Sequence, residues 1–166
     1  MTVNKTLKIA LLATLVLALA ACNGSNDGTC YKERNVAVGV ALYKTEYNES
    51  QERYVVSPVT EQLTVQGLDN DSLLCKARSL STLSLPLRIT ADSSVFTLQR
   101  DSTGIDTLII YHTNEKNFIS LECGCFVFHT IKSVQVTANQ IDSAILLDTK
   151  VNNVAGTHLR LYYRKK

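Results

Sequence analysis

The residues best equipped for chemistry lie in one short run, LECGCFVFH, residues 121–129. Cys123 and Cys125 flank Gly124, and His129 follows four positions after the second thiol. Thiolate sulfur and imidazole nitrogen bind zinc and soft copper, and an activated thiol exchanges with disulfides. The spacing argues against each use. Zinc sites commonly space their thiols as Cys-x₂₋₄-Cys, whereas here one residue separates the pair and Cys30 and Cys75 are remote. Exchange centres usually place Cys-x-x-Cys at a helix start, where the thiolate is stabilised; this run has β character instead. The preferred reading is a disulfide staple with no metal and no cofactor, provided that the chain reaches an oxidising compartment.

The N-terminus, MTVNKTLKIALLATLVLALAAC, addresses that condition. Lys5 and Lys8 precede thirteen uncharged, mostly apolar residues, 9–21. The run is short of the ~20 residues that a spanning helix needs, and has the order of a secretory signal peptide. Leu19-Ala20-Ala21-Cys22 resembles a bacterial lipobox, which implies cleavage before Cys22, a thioether-linked diacylglycerol on its thiol and acylation of its new amino group. Several acyl chains make a durable anchor where one does not. Residues 1–21 thus read as a lipoprotein signal peptide, 22–29 as a polar, Gly-containing tether, and 30–166 as a single domain. Asn23, where an Asp would stand otherwise, points by resemblance to diderm sorting toward the outer membrane, with the periplasmic or surface face left open.

The chain has 17 Lys and Arg against 15 Asp and Glu, and without Lys5 and Lys8 the two balance. Only Arg164, Lys165 and Lys166 form a basic cluster, and they read as a solvated end. Nucleic acid is not an expected partner.

The elements that must position these residues read as strands. Over residues 35–44, Val36, Val38, Val40 and Leu42 share one parity, the period of a half-buried strand. Further strands are expected at 54–56, 60–67, 80–89, 94–100, 107–112, 117–122, 125–131 and 158–163. Residues 46–53 and 114–116 read as turns, and residues 141–147 favour strand over a helical turn. Leu83, Leu85, Leu87 and Ile89 share a face in 80–89, and Pro86 demotes that segment to an edge. Seven to nine short antiparallel strands separated by polar turns imply an all-β fold, an immunoglobulin-like or related β-sandwich, with a closed barrel as the rival. If Phe126 and Phe128 face the core, Cys125 and His129 face outward, and a bulge at Gly124 would ease that conflict.

Several features together resemble a family of small lipoproteins of unknown function from Bacteroides and related gut bacteria. They are Asp27-Gly28-Thr29-Cys30, the valine-rich first strand, Leu85-Pro86-Leu87, the Asp106–Tyr111 segment, Phe118 through Cys123-Gly124 with Phe128, and the His158…Tyr162 close. Four cysteines follow Cys22, and adjacent-but-one strand positions lie about 7 Å apart, too far for Cys123 to bond Cys125. The remaining connectivities stay open on spacing. The resemblance implies Cys30 with Cys123, which leaves Cys75 with Cys125. The first bridge would be worth on the order of 4–5 kcal/mol in loop-closure entropy.

His112, His129 and His158 lie in or beside strands without metal spacing, and read as structural or exposed. Ser57, Ser120 and Ser143 lack a nucleophile elbow, and Asp101 and Asp106 read as turn residues. Tyr43, Tyr111 and Tyr162 are the candidate ligand surface, although sheet tyrosines commonly serve as amphipathic packing residues. The expectation is a non-enzymatic, lipid-anchored envelope module that contacts the membrane through Cys22 and another envelope protein or a glycan through its domain. The alternatives are a glycan-binding outer-membrane lipoprotein and an uncharacterised envelope enzyme.

Overall fold

The computed structural model describes Cys30, Lys32 and residues 35–68, 72–101 and 104–164. Contacts divide the chain into residues 1–31 and 32–166, and of the first part only Cys30 is described. The signal peptide, Cys22 and the tether read from the sequence therefore lie outside the described residues.

The described residues of 32–166 form an all-β fold. Eleven strands occur among the described residues: β1 Ala37–Asn48, β2 Arg53–Pro58, β3 Glu61–Gly67, β4 Ser72–Leu80, β5 Thr82–Pro86, β6 Ser93–Asp101, β7 Gly104–Ser120, β8 Gly124–Val136, β9 Ile141–Leu146, β10 Lys150–Val151 and β11 Leu159–Tyr163. They form a five-stranded sheet, β2-β1-β11-β9 with β5 also on β1, and a six-stranded sheet, β10-β8-β7-β6-β3-β4. The two sheets pack as a sandwich and do not close into a barrel.

Period two decides what is buried. Val38, Val40 and Leu42 of β1, Leu83 and Leu85 of β5, and Leu159 and Leu161 of β11 cover the inner face of the first sheet. Leu63, Val65, Phe96, Leu98, Leu108, Ile110 and Ile131 answer from the second. Alternate residues on each strand point to opposite faces, so valine- and leucine-rich parity becomes core.

The count exceeds the expected seven to nine, and one pair, β1 with β11, is parallel. β1 runs on through residues expected in a turn and pairs with β2 as far as Asn48 with Arg53. β4 has no counterpart among the expected strands. Two register shifts break its pairing with β3, and Ala77 sits at φ 46°, so no clean alternation survives in its sequence. β7 is one 17-residue strand in place of two, because Asn114, Glu115 and Lys116 stay paired with His129, Phe128 and Val127. Ile89, expected to join Leu83, Leu85 and Leu87 in the core, is 62% exposed in the turn after β5.

Two irregularities aim the site residues. Between Tyr111 and His112 the register slips, so that Lys132 is an extra residue in β8. The slip puts Ile131 and His129 on the inward parity, together with Val134 and Val136. At the other end, residues 121–123 turn the chain, Gly124 follows at φ 70°, and Ser120 rather than Ile119 opposes it. A left-handed residue after a three-residue turn closes such hairpins, and glycine adopts it without a Cβ penalty.

Candidate functional site

The Cys-Gly-Cys run is split between a turn and a strand. Cys123 ends the 121–123 turn, where its N–H donates to Ser120 Oγ at 3.1 Å, and Cys125 opens β8 opposite Phe118. A Cys30–Cys123 disulfide is present, the pair that the resemblance implied. The second expected bridge is not: Cys75 and Cys125 are free thiols. Cys75 lies on β4 at one edge of the six-stranded sheet, and Cys125 lies on β8, four strands across. At about 4.8 Å per strand the gap is roughly 19 Å, against about 7 Å at most between Cα atoms of a disulfide.

The conditional parity holds at one end of the run and fails at the other: Phe126 is buried and Cys125 exposed, as expected, whereas His129 is buried as well. Four strand residues separate the Cα atoms of Cys125 and His129 by roughly 13 Å, too far for one metal ion to hold both. No group of three or more His, Cys, Asp or Glu among the described residues could hold a metal.

His129 belongs instead to a polar cluster with Ser94, His112 and Asn114. The Asn114 amide donates to the carbonyls of Arg88 at 3.1 Å and Ala91 at 2.7 Å, which turns Oδ1 toward the histidines. Oδ1 accepts from Nδ1–H of His112 at 2.9 Å and of His129 at 2.7 Å. Both rings are thus fixed as Nδ1–H tautomers. Nε2 of His112 accepts the Ser94 hydroxyl at 3.0 Å, and Ser94 Oγ in turn accepts the Arg88 N–H at 2.8 Å. The rings meet edge to face, 5.2 Å between centroids. Burial lowers the pKa of both; for His129 it falls to about 4, with the neighbouring His112 adding to the effect. For His112, the Asn114 bond and the Asp92 charge oppose the shift. Both imidazoles are therefore neutral at physiological pH.

The third histidine is a stitch. Nδ1 of His158 accepts the Gly39 N–H at 3.0 Å, Nε2–H donates to the Lys150 carbonyl at 3.1 Å, and its own N–H donates to Gly39 O at 2.8 Å. It joins β1 of one sheet to β10 of the other. At the far end of the core, Asp106 is no turn residue. Its buried carboxylate accepts the Thr137 hydroxyl and the N–H groups of Asn139, Gln140 and Ile141. Nearby, Arg100 grips Glu61 through two 2.6 Å bonds and lies 5.4 Å over the Tyr163 ring. Tyr163 is buried with its hydroxyl unpartnered, and burial first, then the Asp106 and Glu61 charges, raises its pKa.

Of the three candidate tyrosines, two come together. Tyr43 and Tyr162 face each other across the parallel β1–β11 pair, with ring centroids 5.7 Å apart. The Arg160 guanidinium lies 5.0 Å over Tyr43, and its Nε is buried without a partner. On the same outer face Tyr47 and the 73%-exposed Tyr54 meet edge to face at 5.3 Å. Tyr111 is not part of this group: Leu108, Ile110 and His112 take the inner parity of β7, so Tyr111 points away from the core on the opposite sheet. Sequence reasoning missed Asn114, Ser94 and Arg160. For Asn114 a signal existed, since His-x-Asn places both side chains on one strand face.

The chain matches the family of unknown function DUF6452 over residues 62–163, and belongs to that family. No curated protein and no solved structure matches it.

Proposed function

We propose that this chain is a lipid-anchored binding module of the cell envelope, held at the outer membrane through Cys22 and acting through the outer face of its five-stranded sheet, without catalysis. The anchor rests on the signal-like run that ends in Leu19-Ala20-Ala21-Cys22 and on the polar tether after it. The binding half rests on one observation: Tyr43 and Tyr162 stand side by side beside Arg160, on a face that also exposes Tyr47 and Tyr54. Tyrosine and arginine are enriched where proteins bind, because each offers an apolar face and a polar tip. Radiolabelled palmitate should enter the wild-type protein, and Cys22→Ala should lose both label and membrane sedimentation. An unlabelled wild-type chain that stays in the soluble fraction would refute the anchor.

A second reading, a glycan as partner, is favoured by the same pair, since adjacent rings can stack on the apolar faces of sugars while Arg160 meets hydroxyls. Binding on a glycan array that is lost in Tyr43→Ala and in Tyr162→Ala would support it. A blank array with folded wild-type protein would redirect the face to a protein partner.

A further inference from the structure

A cavity of about 370 Å³ opens beside the histidine cluster, between the first half of β8, residues 35–36 before β1, and Leu87 and Ile89 after β5. That volume lies near the lower end of the ~300–1,000 Å³ usual for small-molecule sites. Val36, Leu87, Ile89, Phe126 and Val127 supply most of its apolar wall, with Cys125 at one end and His129 at the other. Among the described residues no Asp, Glu, Lys or Arg lines it, and Asn35 and Cys123 complete the lining. An ion entering here would give up hydration and meet no opposite charge from those residues, which is costly.

His129 is only 4% exposed, and its Nδ1–H is committed to Asn114. No hydrogen bond reaches its Nε2 among the described residues. Asn114 cannot release the ring cheaply, because its own amide is held by Arg88 and Ala91. The result is a pre-oriented lone pair on the wall of a cavity with no charged side chain among its described lining residues. Nε2 is not among the buried atoms left without a partner, so water can reach it, and a donor on an occupant would take the place of that water.

We propose that this cavity binds a small uncharged molecule with an apolar body and one hydroxyl, the hydroxyl donating to Nε2 of His129. A phenol is the simplest such molecule. Its ring replaces water along Val36, Leu87, Ile89 and Val127, and its O–H satisfies the imidazole. The corresponding carboxylate is disfavoured, because it brings a charge that no described lining side chain opposes and has no proton to donate to Nε2. This site is independent of the tyrosine face and of the anchor.

The two free thiols supply the assay. With the full-length protein, iodoacetamide alkylation of Cys125 and Cys75 is followed by peptide-resolved mass spectrometry in the presence of 4-propylphenol or 4-propylbenzoate. The phenol should slow Cys125 severalfold and saturably, leave Cys75 unchanged, and be about tenfold less potent on His129→Phe, the loss expected of one buried hydrogen bond. The benzoate should protect neither thiol. If His129→Phe fails to fold, the unmutated protein gives the answer by imidazole ¹⁵N NMR, where the phenol should shift Nε2 of His129 and leave Nδ1 in place. Unprotected Cys125 at millimolar phenol, an unmoved Nε2 resonance, or equal protection by the benzoate would overturn the proposal.

Discussion

Asn114 does more than its exposed position suggests, because one amide oxygen serves two histidines while its nitrogen locks the loop before β6. The cluster makes acid a specific stress. His129 titrates near 4 in the folded chain against an ordinary 6.5, because burial disfavours the imidazolium. A depressed pKa contributes stability that is fully present above about pH 6.5 and lost as pH falls toward 4, where the unfolded chain takes up the proton first. The loss amounts to at most about 3 kcal/mol, and His112 acts in the same direction. Thermal melts from pH 7 to 4 should therefore fall more steeply for wild type than for His129→Gln. Parallel curves would mean that the ring is not held neutral by its surroundings.

At the scale of elements, two devices connect the sheets to the site. The slip at Lys132 turns β8 so that one strand carries both core residues and the cavity wall. The other device is the close approach of β1 to the segment before β11. A Cβ added at Gly39 would come within 1.9 Å of the Gly156 carbonyl oxygen, a backbone atom that cannot swing aside. Gly39 also gives its N–H and carbonyl to His158. Gly39→Ala should thus force β1 and residues 152–157 apart and destabilise the domain by about 2 kcal/mol or more, readable by urea denaturation. A change below about 0.5 kcal/mol would show that the segment yields freely.

For the whole molecule, the sulfur inventory is the sharpest prediction. Among the four cysteines after Cys22, one disulfide and two thiols are expected, Cys75 and Cys125 being the reactive pair. Alkylation without reduction, followed by peptide mass spectrometry, should label those two and spare Cys30 and Cys123. A Cys75–Cys125 crosslinked peptide would require the six-stranded sheet to be ordered differently. The free thiols sit on a strand edge and in a cavity wall, so oxidation of either has a local consequence rather than a global one.

The sequence by itself determined the β character and most of the core. Alternation in β1, β3, β5, β6 and β11 reads directly into burial, because a side chain's face follows from position parity. The same reasoning broke down where the backbone departs from period two. β4 was hidden by its irregular pairing, the β7 hairpin was cut short by polar residues that remain in the ladder, and His129 was turned inward by one extra residue. Pairing of Cys75 with Cys125 failed for a related reason, since an even thiol count carries no information about strand order. Only the tertiary structure could place Tyr43 beside Tyr162, seat Asn114 between two rings, and leave one imidazole nitrogen facing a cavity. Those contacts join residues tens of positions apart in the chain, and their distances follow from sheet order and register, which local pattern does not encode.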